Sequence, residues 1–164
     1  MGSPVCDRCV TKLRYGQTSS PVGASKKAMT DPRRQFDFWL GEWRCTWDGG
    51  EGSNVVEAVC GGRVVRESFD GRPGSDLVGT SISVYDEPAS RWVQTWMDSE
   101  GSWFHLTGEF RDGAMELLMT EPDARGDVKR MRFQDIGENG FTWTWSSSGG
   151  GEWTELWRIE YRRA

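Results

Sequence analysis

The chain carries a single histidine, His105, among 164 residues and four cysteines, Cys6, Cys9, Cys45 and Cys60. A structural zinc site needs nitrogen or sulfur ligands in close pairs, and one C-x-x-C (Cys6, Cys9) without a second pair does not supply them. A redox C-x-x-C opens a helix in a βαβ unit. This one lies in an unpatterned leader, so the thiols read as free in a reducing compartment. No apolar run approaches the roughly 18 residues that cross a bilayer, and the N-terminus lacks the apolar core of a secretory signal. The sequence also holds no G-x-S-x-G, H-E-x-x-H or G-x-x-x-x-G-K-[ST] motif, and no G-x-G-x-x-G after a strand. The nucleophile elbows, zinc helices and phosphate cradles that those spacings build are therefore missing. Scattered carboxylates and one imidazole give no metal-ligand spacing.

Charge of one sign is lacking too. Twenty Lys and Arg stand against 25 Asp and Glu, a net charge of −5, with the signs interleaved. Such a surface attracts neither nucleic acid nor an anionic membrane, and a cytoplasmic location is the default expectation. Residues 1–30 are poor in large apolar side chains and cannot repay the entropy of ordering, so they are expected to form a disordered leader. Met29 begins "MTDPRRQFDFW", which would itself make a natural start, with the preceding residues an upstream extension.

What the chain does have is glycine and tryptophan, 21 and 10 residues respectively. From Asp31 onward, turn-forming clusters recur: GG at 49–50 and 61–62, "DGRPGSD", "DEPASR", "DSEGS", "RDG", "EPDARGD", "GENG" and "SSSGGGE". Gly, Asp, Asn and Pro supply the backbone angles of hairpin loops. The intervening runs of about 6 to 10 residues are too short for ordinary helices. Within them bulky residues alternate, as in "WVQTWMD", "FTWTW" and "WTELWRIEY", which is the period of a strand. Trp39, Trp43 and Trp47 are four apart, an interval that suits either a helix or a strand. Period two elsewhere resolves it into a short helical turn through Phe36, Phe38 and Trp39, then a strand.

This pattern predicts ten strands near 42–48, 54–60, 63–69, 77–85, 91–98, 102–110, 114–120, 128–136, 140–146 and 153–161. Short connections make sequence neighbours spatial neighbours. An open ten-stranded sheet would leave two edges, and closing the first strand on the last removes both. The expected fold is an all-β, antiparallel up-and-down barrel over residues 31–164.

"FDFWLGEW", "WVQTWMDSEGSW", "DGAMELLMT" and the terminal W-x-x-L-W-x-I-E-Y-R-R together resemble the DUF1579-type proteins, a lipocalin-like group of unknown function. The resemblance spans about 36–163. "LGEW" also resembles the G-x-W opening of calycins, where the Trp closes the narrow end of a barrel. The resemblance implies a calycin-like barrel with a small-molecule pocket and supplies no reaction. The barrel is similar as well to nitrobindin, whose haem hangs on one histidine near the C-terminal end. Here the last strands contain no histidine.

A ten-stranded barrel encloses more space than the eight-stranded kind, whose interior side chains can fill. If the tryptophan faces point inward, Trp43, Trp92, Trp96 and Trp145 line that space, in company with Gln94 and Asp98. By the same rule His105 shares the inward side of its strand with Trp103. Polar groups converging on aromatic walls describe a ligand site. Arg132 is expected inward, meeting Glu67, because its planar fork suits a carboxylate. Tyr161 sits where lipid-binding barrels place a tyrosine. The expected function is binding of a small, partly apolar or aromatic molecule. The alternative is a cofactor-free isomerase, cyclase or dehydratase with His105, Asp98 or Glu67 as acid or base. Haem binding comes third, and pairing of barrels into a homodimer through a sheet face remains open.

Overall fold

The computed structural model describes residues 31–164. The leader, with Cys6, Cys9 and Met29, lies outside the described residues. Two successive 3₁₀ turns, Pro32–Arg34 and Asp37–Trp39, precede ten strands: β1 (Gly41–Trp47), β2 (Gly50–Val59), β3 (Val64–Asp70), β4 (Val78–Asp86), β5 (Arg91–Asp98), β6 (Trp103–Arg111), β7 (Ala114–Met119), β8 (Val128–Gln134), β9 (Gly140–Ser148) and β10 (Thr154–Arg163). Each strand pairs antiparallel with the next, and β1 pairs with β10, so the sheet is a closed barrel. Closure runs through Trp43 opposite Arg163, Arg44 opposite Arg162, Cys45 opposite Tyr161 and Thr46 opposite Glu160.

The turn residues act as the sequence suggested. Asp112 and Gly113 link β6 to β7 with φ of 51° and 80°, the two positive angles of the tight hairpin turn whose twist matches its strands. The largest boundary difference is in β2, which starts at Gly50 because the Asp48–Gly49 turn lets Gly50 pair with Trp47 at once.

One end of the barrel is plugged. The 3₁₀ turns fold Phe36, Phe38 and Trp39 beneath Trp43, Trp92, Phe133 and Phe141, all 7% exposed or less. Their rings meet mostly edge to face, with centroids 4.8 Å apart for Phe36–Trp92, 4.9 Å for Trp39–Phe133 and 5.0 Å for Trp43–Phe141. This geometry sets ring edges against the negative faces of their neighbours. Two of the plug's three indole N–H groups are satisfied locally, Trp43 Nε1 donating to Trp39 O at 2.7 Å and Trp92 Nε1 to Pro32 O at 3.1 Å, while the buried Trp39 Nε1 has no partner among the described residues. The Arg163 guanidinium lies 3.9 Å over the Trp43 ring and donates to the Phe38 and Leu40 carbonyls. Trp43 is thus packed into the plugged end.

Strand parity corrects two expectations. In β6 the inward residues are Phe104, Leu106 and Phe110, while Trp103 is 68% exposed and His105 faces outward beside Thr95. One tryptophan pointed the wrong way because His105, Thr107, Glu109 and Arg111 share its face, and burying all of them would cost far more than exposing one indole. In β8, Met131 and Phe133 are inward, which turns Arg132 onto the outer surface opposite Glu116 and Thr144. Arg132 therefore does not meet Glu67.

Among the described residues, no helix is long and apolar enough to cross a membrane. The plug is expected to carry much of the stability. Phe133→Ala should cost about 3–5 kcal/mol in urea unfolding, whereas Trp103→Ala should stay within about 0.5 kcal/mol. Similar losses for both would mean that the plugged end is not the main packed layer.

Candidate functional site

Inward residues fall into layers that can be followed along single strands. On β5 the sequence runs Trp92 in the plug, then Gln94, then Trp96, then Asp98 at the opposite mouth. Parallel series are Trp43, Cys45, Trp47 on β1; Val65, Glu67, Phe69 on β3; and Tyr161, Ile159, Trp157 on β10. Above the plug lies a polar layer, and above that an aromatic cup.

The cup is a cavity of about 210 Å³, lined by Glu67, Phe69, Leu77, Trp96, Phe104, Met131, Trp143, Trp145, Trp157, Ile159 and Tyr161, with Asp98, Glu100 and Ser102 at the mouth. Trp143 and Trp145 are near parallel, 6.5 Å apart with planes 4° from one another, and Phe104 stacks on Trp145 at 5.4 Å. Trp157 stands edge-on to Trp143 at 5.7 Å and to Phe69 at 6.0 Å. β4 makes room for these rings, because its inward residues beside the cup are Gly79, Ser81 and Ser83, while Tyr85 on the same face packs against Trp92 at the plugged end. A Cβ at Gly79 would fall 2.2 Å from the Trp96 ring, so the indole can lie across β4 only because this residue is glycine.

Glu67 forms the floor. Its side chain is buried, with Oε2 accepting from Ser81 Oγ at 2.5 Å and Oε1 accepting from Asn54 Nδ2 at 2.7 Å. Asn54 Nδ2 also donates to Tyr161 Oη at 3.0 Å. Burial pushes the Glu67 carboxyl up to about 7, against the lowering influence of those two hydrogen bonds. Burial likewise raises Tyr161 well above its usual range and Cys45 to about 12, so both stay neutral. Asp98 behaves differently. Partial burial raises it, but donation from Trp96 Nε1 at 2.9 Å and from the backbone of Ser102 and Glu100 outweighs this and holds it below the usual carboxylate range.

The structure brings Glu67, Trp96, Asp98, Trp145 and Tyr161 to one cavity. It does not bring the other predicted residues there. Trp43 and Trp92 belong to the plug, and Gln94 is fully buried in the polar layer, donating to Ser83 Oγ at 2.9 Å. His105 and Arg132 are outside the barrel. The sole histidine of the sequence therefore does not face the interior. Sequence reasoning missed Asn54 and Ser81, which hold Glu67, and Phe69, Phe104, Trp143 and Trp157 in the walls. The tryptophans and phenylalanines were visible by period two. Asn54 and Ser81 gave no sign beyond a small polar residue on an alternating strand.

A carboxyl raised in the fold stabilises the protein while protonated, and that contribution disappears as it ionises. The rise from 4.5 to about 7 corresponds to roughly 3 kcal/mol, fully present below about pH 4.5 and lost as pH climbs through 7. Urea unfolding at pH 5 and pH 8 should therefore show wild type losing up to about 3 kcal/mol more than Glu67→Gln. Parallel pH profiles for the two proteins would show that the carboxyl is not desolvated.

The family model described as "Protein of unknown function (DUF1579)" matches residues 31–163. No curated protein matches the chain. The match takes in both N-terminal 3₁₀ turns and all ten strands, and the protein belongs to the DUF1579 family.

Proposed function

We propose that the barrel binds a small, partly apolar or aromatic molecule in the cup, with its polar end toward Glu67. The observation that carries this reading is a contrast between two sets of indoles. Trp39, Trp43 and Trp92 are 1–2% exposed, which is how this chain treats tryptophan used for packing. Trp96, Trp143, Trp145 and Trp157 are only partly buried and share the wall of a cavity. Leaving so much apolar surface accessible gives up about 25 cal/mol for each Å², a loss that a ligand reverses. An engineered cavity of about 150 Å³ is enough for benzene, so 210 Å³ suits one ring with a few further atoms.

A second reading has its own support. A carboxyl at about 7 on the floor of an aromatic cavity is poised to exchange a proton with a bound molecule near neutral pH. The chemistry would be isomerisation, cyclisation or dehydration without a cofactor. Glu67 would give or take the proton, and the indoles would hold the substrate in a reactive shape. Asp98 is ionised and occupied by its turn, and His105 is on the outer surface, so neither shares the role.

Titration with single-ring aromatics, followed by tryptophan fluorescence, should give saturable quenching. Trp96→Ala and Trp145→Ala should each weaken it by about tenfold, in line with 1–1.5 kcal/mol for one aromatic contact, while Trp103→Ala changes nothing. Absence of quenching across the panel would sink the binding reading. Should a turnover be found, Glu67→Gln should cut it by about 10² or more; unchanged turnover would remove Glu67 from the chemistry.

A further inference from the structure

The charge of the cavity is one-sided. Among the described residues, its lining includes three acids, Glu67, Asp98 and Glu100, and neither lysine nor arginine. Glu67 is held by neutral donors alone, Asn54 from β2 and Ser81 from β4. The titratable groups facing it are Cys45 from β1 and Tyr161 from β10, both kept protonated by burial. Across the cup, Asp98 on β5 is ionised. Lys129 on β8 is outside the lining and is engaged by Asp123 at 2.8 Å and Asp127 at 3.8 Å. The polar layer is also rich in acceptors, since the buried Asn54 Oδ1 and Gln94 Oε1 have no donor among the described residues.

A buried carboxyl without a cationic partner is costly when ionised, and it can be neutralised in two ways: by a proton, or by a positive charge brought in from outside. A carboxylate has about four lone-pair positions, of which Asn54 and Ser81 use two. The walls favour the second route. Indole faces attract cations by about 0.5–2 kcal/mol each, and four partly buried indoles surround the space above Glu67. An anionic ligand would meet three carboxylates and no compensating charge.

We propose that the cup selects an organic cation, a small molecule with an ammonium or quaternary nitrogen that is matched by the Glu67 carboxylate while its apolar body lies among the indoles. This rests on the binding reading above and names its ligand class. Binding then exchanges one positive charge for another: the ligand enters as a cation, Glu67 releases its proton to solvent, and the complex holds a carboxylate beside the ligand. Below about pH 7, where Glu67 is protonated, each bound cation displaces one proton, so affinity falls about tenfold for each pH unit. Above that point it levels off.

Three probes of similar size separate the outcomes: phenyltrimethylammonium, its uncharged isostere tert-butylbenzene, and benzoate. Calorimetric or fluorescence titration at pH 8 should show the cation binding at least about tenfold tighter than the isostere, with no binding of benzoate. Cation affinity should fall about tenfold from pH 6 to pH 5 while that of tert-butylbenzene does not. Glu67→Gln should abolish both the preference and the pH slope, yet still bind tert-butylbenzene, which also shows that the variant is folded. If tert-butylbenzene or benzoate binds wild type as tightly as the cation, the charge selection is overturned and the binding reading stands. If none of the three binds, both fall together.

Discussion

Four residue pairs between β1 and β10, from Trp43–Arg163 to Thr46–Glu160, turn a ten-stranded sheet into a closed wall, and every other feature depends on that closure. An unclosed sheet would expose two edges and give its inward face nothing to pack against. Closure forces one face of all ten strands to share a limited interior, so each inward side chain competes for the same volume. It also brings Arg163, the last strand residue, over Trp43 near the first, which locks the seam to the plug.

The interior is filled unevenly, and this unevenness makes the site. At one end, the two 3₁₀ turns add Phe36, Phe38 and Trp39 to the inward rings of β1, β5, β8 and β9, and the layer is dense. At the other end β4 contributes Gly79, Ser81 and Ser83, which are too small to meet the rings opposite. The same residue class thus does two jobs. Indoles in the plug replace missing core volume, and indoles in the cup surround a space they leave open. Between them, Glu67 has no basic partner among the described residues, so its carboxyl is governed by burial and by two neutral donors.

Much of the wall was legible in local sequence. The cost of two open edges predicted closure, while alternation in "FTWTW" and "WTELWRIEY" and the turn clusters between strands predicted ten strands and their order, since both signals act within a few residues. The short turn through Trp39 was legible for the same reason. The site was legible only in part, since half of the residues predicted for it lie elsewhere. Trp103 suggested an inward face for His105, although the polar residues at 105, 107, 109 and 111 already spoke against it. In β8, Met131 and Phe133 carried the true parity, and the appeal of an arginine facing Glu67 obscured it.

The chain's sequence by itself determined a period-two meander, its punctuation and its aromatic content, because strand alternation and turn geometry are properties of adjacent residues. Only the tertiary structure decided which alternating face became the inside and which interior groups became partners. Asn54 meets Glu67 across 13 residues and Tyr161 across 107, and no local pattern encodes such meetings. They follow from register accumulated around a closed ring, where shifting any strand by one residue exchanges inside for outside.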